Sequence, residues 1–179
     1  MIILNDIKLV ETKDDEKEQF IKNIQIAFKK AVVEEFGDNG EEIIPREDVI
    51  NSFNESGAVT YNIVADDKIV GGVVVKIDPK TNHNELLLLF VNVDFHSKGI
   101  GYATWQAIEK IYPETKIWST VTPYFDKRNI HFYVNKCGFH IVEFYNPHNL
   151  DPRMNEHIDQ MNGDYFDYFF RFEKYMPQK

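Results

Sequence analysis

The chain has 179 residues, 43% hydrophobic and 14% aromatic, enough to bury a core without disulfide or metal staples and too apolar for a disordered protein. Its 20 basic and 29 acidic side chains leave a formal charge of −9, which excludes a general nucleic-acid binder and favours cationic partners. The single cysteine, Cys137, excludes an internal disulfide and a cysteine-based metal cluster, and suits a reducing cytoplasm. Residues 1–10 carry no basic flank and do not read as a signal peptide. No stretch approaches the roughly 20 apolar residues that cross a bilayer. No internal repeat, low-complexity tract or linker interrupts the chain, so residues 1–179 read as one domain.

Residues 14–36 predict a long amphipathic helix. Phe20, Ile24, Phe28 and Val32 recur every fourth position, with Ala27 and Ala31 beside them. Acidic residues crowd its first turns, where the helix dipole favours them, and Gly37 ends it. Residues 38–42 form a polar loop. Residues 45–53 predict a short helix with Pro45 near its start. Two alternating runs, residues 59–65 and 68–77, flank Asp66-Asp67 and predict a hairpin. Residues 85–93 form a continuous apolar run, the pattern of a strand covered on both faces. A helix over residues 99–111 follows, closed by Pro113. Residues 116–121 predict a strand, and residues 127–137 a helix capped by Gly138. Residues 140–145 and 164–175 predict the last two strands. Between them, residues 146–163 read as a long polar loop, uncommon in a compact domain and placed here as a cover for an acceptor site. His148, Asp151, Glu156, His157 and Asp159 fall in it. They lack paired-ligand spacing, and a polar surface loop is preferred over a metal site. The order is α plus β around one mixed sheet with a strand–helix–strand crossover at its centre.

The chemistry sits in residues 86–103, LLLLFVNVDFHSKGIGYA. A buried strand runs through a glycine-containing turn straight into a helix. Gly99 and Gly101 lack a Cβ, the first helical amides have no partner inside the helix, and the helix dipole is positive there. This is an anion cradle with phosphate as its usual guest, and Lys98 adds a positive charge. The pattern is neither a P-loop nor the dinucleotide fingerprint. On the glycines alone, a plain, tightly packed strand–helix turn is the better reading.

His96-Ser97-Lys98-Gly99-Ile100-Gly101-Tyr102-Ala103 resembles the [R/Q]xxGxG signature of the GNAT-superfamily acyltransferases. The segment Phe90-Val91-Asn92-Val93-Asp94 resembles that family's fourth strand, and residues 129–139 (NIHFYVNKCGF) resemble its second motif, a helix ending in Gly-Phe. The resemblance implies a GNAT-like fold: a central mixed sheet of about seven strands, flanking helices and a splayed coenzyme cleft. It implies acetyl-CoA as co-substrate, the diphosphate on His96 to Ala103 and the pantetheine arm along Val91, Asn92 and Val93. Asn129 then contacts the coenzyme. The implied reaction is direct attack of a primary amine on the thioester. The acceptor reads as small and cationic, with no nucleic acid, membrane or metal involved, and a homodimer is compatible with the family.

Two positions depart from the pattern. His96 stands where Arg or Gln is usual; it still donates a hydrogen bond but is mostly neutral at pH 7. Val134 stands where many members carry tyrosine, four residues before the glycine, and Tyr133 is one step earlier. One helical step turns a side chain by about 100°, so Tyr133 fits only if the helix carries a bulge or a one-residue register change. Tyr133 is the candidate acid for the leaving thiolate, its alternative being a core aromatic. A backbone N–H near Val91 is the candidate oxyanion donor. Glu85 is the candidate base, or else a solvated strand end. Glu34 and Glu35 attract the amine, or else face solvent. His131 reads as packing or surface, and Cys137 as a small buried hydrophobe. The alternative to an enzyme is an acyl-CoA-binding module of the same fold without efficient catalysis.

Overall fold

The computed structural model describes residues 7–38, 40, 43–153 and 168–177, in two compact units spanning residues 1–115 and 116–179. In the first unit, β1 (Ile7–Glu11) is followed by α1 (Lys17–Phe36) and α2 (Arg46–Asn54). Then come β2 (Ala58–Ala65), β3 (Lys68–Lys76), β4 (His83–Val91) and α3 (Ile100–Ile111). The strands lie in the order β1-β2-β3-β4, each pair antiparallel. The periodicity did not reveal β1, whose five residues are short for an alternation to show. The Asp66-Asp67 hairpin forms as predicted, with φ of 49° and 58°, the left-handed pair that a two-residue turn needs to match strand twist.

The predicted first helix begins at Lys17 and not at residue 14, because Asp14–Glu16 is a 3-10 turn. The Glu16 carboxylate explains the delay. It accepts from Lys13 N–H at 3.0 Å and from buried Asn62 Nδ2 at 2.8 Å, pinning the turn to β2. Phe20, Ile21, Ile24 and Ala27 of α1 pack with Val49 of α2, Val74 of β3 and Phe90 of β4. The Phe20 ring meets those of Phe90 and Phe53 edge-on, at 5.0 and 5.2 Å between centroids. Gly72 makes that approach possible: a Cβ there would stand 2.2 Å from the Phe20 ring.

The strand buried residue after residue is β3, from Val70 to Val75, not β4 as the apolar run predicted. Along β4, Asn84, Leu86 and Phe90 are buried and Leu87, Leu88 and Leu89 are half-buried. The strand also stops at Val91, two residues short of the predicted end. Asn92 N–H makes a last bond to Val70 O at 2.8 Å, and Val93–Phe95 then turns as a 3-10 helix.

The second unit holds β5 (Ile117–Pro123), α4 (Lys127–His131), a π turn (Phe132–Lys136), β6 (His140–Tyr145) and β7 (Phe169–Tyr175). Here β7 lies between β5 and β6, antiparallel to both. Trp118, Phe139 and Phe172 are its fully buried large side chains. The predicted α-helix over residues 127–137 is therefore only half α-helical. Asp126 caps its start, its Oδ1 accepting from Asn129 N–H at 3.0 Å. Of the predicted polar loop, Asn146 and Asn149 exchange backbone bonds of 3.0 and 2.9 Å, and buried Asp151 holds Arg153 through Oδ1 and Oδ2. Residues 154–163, with Glu156, His157 and Asp159, and the predicted strand start at 164–167, lie outside the described residues.

Candidate functional site

The end of β4 and the start of α3 form one continuous piece. Asn92 and Val70 are a hydrogen-bonded pair, so the neighbouring pair Val91–Gly71 is of the non-bonded kind. Val91 therefore turns both its N–H and its C=O away from β3. The Nε2 of His96 reaches that carbonyl at 2.7 Å. Phe95 N–H returns to Asn92 O at 2.8 Å, closing the 3-10 turn. Ser97 and Gly99 both adopt left-handed backbone, with φ of 63° and 76°.

The first bond of α3 runs from Ala103 N–H to Gly99 O at 3.0 Å. The amides of Ile100, Gly101 and Tyr102 are left without an acceptor in their own helix. They point from its positive end. A Cβ on Gly99 would meet nothing within 4 Å, so the glycine serves the left-handed turn and the space above it is open. Lys98 sits beside the cradle, its Nζ 3.4 Å from Asp94 O and 5.1 Å from the Phe95 ring centre. At the strand end, Asn92 Nδ2 donates to Ile69 O at 3.3 Å, while its buried Oδ1 has no partner among the described residues. The amides of α3 fit an incoming anion.

Sequence reasoning placed Val91, Asn92, Val93 and His96 to Ala103 together, and they are contiguous here. It missed the His96–Val91 contact, which no spacing rule announces. Glu85 lies six residues earlier on β4, roughly 20 Å by strand rise. Its Oε1 is 3.9 Å from Lys76 Nζ, which also binds Glu55 at 2.8 Å. Glu34 and Glu35 are exposed in the last turn of α1, with Glu34 3.7 Å from Lys30.

In the second unit, Asn129 has its backbone N–H committed to Asp126 and its side chain half-buried. Tyr133 stands in the π turn. Cys137 N–H bonds back five residues to Phe132 O at 3.0 Å, and Phe139 N–H reaches Tyr133 O at 2.9 Å. The helix thus carries the one-residue insertion that the position of Tyr133 demanded. Tyr133 is 6% exposed, with the rings of Phe132, Phe139 and Phe172 at 5.3, 5.6 and 5.5 Å. Burial foremost, with Cys137 and Asp126 adding, pushes its phenol well above the usual tyrosine range, against a hydrogen bond from Thr120. Burial also raises the Asp126 carboxyl, which the Asn129 N–H and Arg128 oppose. Thr120 and Asp126 are neighbours that sequence reasoning overlooked. Only Asp126 had a signal, an Asp three residues before Asn129 at a helix start. Cys137 is buried, as expected.

No described helix is long and apolar enough to cross a membrane. The profile of the acetyltransferase (GNAT) family matches residues 24–139. A relative in Bacillus subtilis (strain 168), the uncharacterized protein YrkN, is 52% identical over 170 residues, covering 93% of this chain and 92% of its own. Two solved structures share the fold. The PaiA N-acetyltransferase of Thermoplasma acidophilum, in complex with coenzyme A, is 16% identical with a TM-score of 0.64, over 96% of this chain and 99% of that one. A GNAT-family acetyltransferase of Elizabethkingia anophelis with acetyl-CoA bound is 13% identical with a TM-score of 0.66, over 96% and 99%. The chain belongs to the acetyltransferase (GNAT) family, and its mixed α/β architecture is that of the family's known structures.

Proposed function

We propose that the protein is an acetyl-CoA-dependent N-acetyltransferase acting in the cytoplasm on a small, cationic primary amine, with residues 1–179 working as one catalytic domain. The observation that carries the reading is the cradle: the amides of Ile100, Gly101 and Tyr102 at the start of α3, in the segment that follows a strand end whose Val91 N–H and C=O face away from β3. That two structural relatives hold coenzyme A or acetyl-CoA supports it.

In this reading the α3 amides and Lys98 take the diphosphate, and Val91, Asn92 and Val93 take the pantetheine arm. Val91 N–H donates to the thioester carbonyl oxygen as negative charge builds there. The neutral amine attacks the carbonyl carbon, and the carbon–sulfur bond breaks. Tyr133 gives its proton to the departing thiolate. The amine's proton leaves to solvent water, and Glu34 and Glu35 draw the cation in. Glu85, roughly 20 Å along β4 from Val91, is out of reach of that proton and is not the base.

Calorimetry with acetyl-CoA and a free-thiol assay across a panel of amines test the reading. Binding with acceptor-dependent thiol release is the expected result. No binding refutes it. Binding without thiol release on any amine would favour a coenzyme-binding module, a reading that the close packing of Tyr133 by three aromatic rings supports.

A further inference from the structure

We propose that His96 is a positioning residue for the coenzyme, latching the Val91 carbonyl so that the end of β4 is held in register with the amides that open α3. The inference rests on the coenzyme reading above and adds to it a role for one of the two positions that depart from the family pattern. A carbonyl only accepts, so Nε2 carries the proton in the 2.7 Å contact. The ring therefore spans five residues, bridging the strand end and the turn it leads into.

The need for such a bridge lies just beyond it. Ser97 holds a left-handed φ of 63°, a conformation that costs a side-chain-bearing residue free energy and persists only where its surroundings impose it. His96 is fixed on one side of Ser97 by its ring and by its N–H to Val93 O at 3.3 Å. Gly99 is fixed on the other by the first bond of α3. The ring contact ties the strand end to the strained, exposed turn that leads into the helix. The latch also divides the two outward groups of Val91. His96 engages the carbonyl, and the N–H is the group the thioester requires. His96 then serves the coenzyme through Val91 and need not touch the diphosphate.

Three measurements test this on the whole protein, with coenzyme A as the probe. The ring ¹⁵N spectrum of His96 at about pH 8, without ligand, should show the Nε2–H tautomer; the Nδ1–H tautomer would overturn the latch. His96→Leu should weaken coenzyme A binding by about five- to tenfold, the scale of one neutral hydrogen bond, and lower kcat/KM for acetyl-CoA by at least as much, because the Val91 N–H it positions faces the thioester. His96→Gln, which carries an N–H of similar reach, should recover most of that loss. Unchanged affinity in His96→Leu, or no recovery in His96→Gln, would sink the role. If His96→Leu fails to fold, His96→Asn, polar but too short to bridge, replaces it with the same expectation. Wild-type protein that shows the Nε2–H tautomer yet binds no coenzyme A refutes the coenzyme reading. Wild-type protein that binds it as tightly as His96→Leu does refutes the latch alone.

Discussion

Tyr133 combines two residue-scale demands, a packed ring and a proton-bearing hydroxyl. Replacing it by Phe keeps the ring among Phe132, Phe139 and Phe172 and removes only the proton. Steady-state kinetics on Tyr133→Phe should show kcat lowered by about a hundredfold, the usual contribution of a positioned acid, with coenzyme affinity unchanged. Near wild-type turnover would assign Tyr133 to the core alone. The same residue shapes alkaline stability. Its folded pKa lies above the ordinary value of 10.0, so the stability it contributes is complete below about pH 10 and is lost as pH rises towards the folded value. Urea midpoints measured between about pH 9 and 11 should therefore fall less steeply in Tyr133→Phe than in wild type. Gly72 is a purely structural case. A Cβ 2.2 Å from the Phe20 ring forces the core apart, and Gly72→Ala should cost about 1–3 kcal/mol in urea unfolding.

At the scale of the element, the π turn Phe132–Lys136 reconciles a sequence offset with a helix. The extra residue is accommodated by a wider turn, so a tyrosine five positions before Gly138 takes the heading that a regular helix gives one four positions before. Deleting exposed Asn135 should close the wide turn and leave Tyr133 one step nearer Gly138. Turnover within about threefold of wild type is expected from the thiol-release assay; its collapse would mean that the wide turn does not hold Tyr133 in place. The amphipathic spacing of α1, the Asp66-Asp67 hairpin and the glycine turn before α3 were all legible, because each is a property of residues within a few positions of one another. The π turn was not. Periodicity shows which residues are apolar, not which carbonyl an amide will choose, and here Cys137 N–H chose Phe132 O. β3 and β4 were misjudged for a related reason. An apolar run reports that a strand dislikes water, while which strand is covered depends on what α1 and α2 bring to it.

For the molecule as a whole, a charge of −9 attracts cationic acceptors over distances that salt shortens. The KM for a cationic amine should rise between about 50 and 300 mM NaCl, and that for a neutral acceptor should hold steady; equal behaviour would remove surface charge from acceptor choice. The strand–glycine–helix segment and the second motif carried the family through their resemblance to it, and the anion cradle was legible because backbone amides at a helix start bind anions whatever else the chain does. Folding alone settled that His96 would face Val91 O, that Asn92 would bury an oxygen with no partner among the described residues, and that Tyr133 would be enclosed by Phe139 and Phe172. These outcomes come from competition among groups for partners and space, which a linear order of residues does not encode at short range.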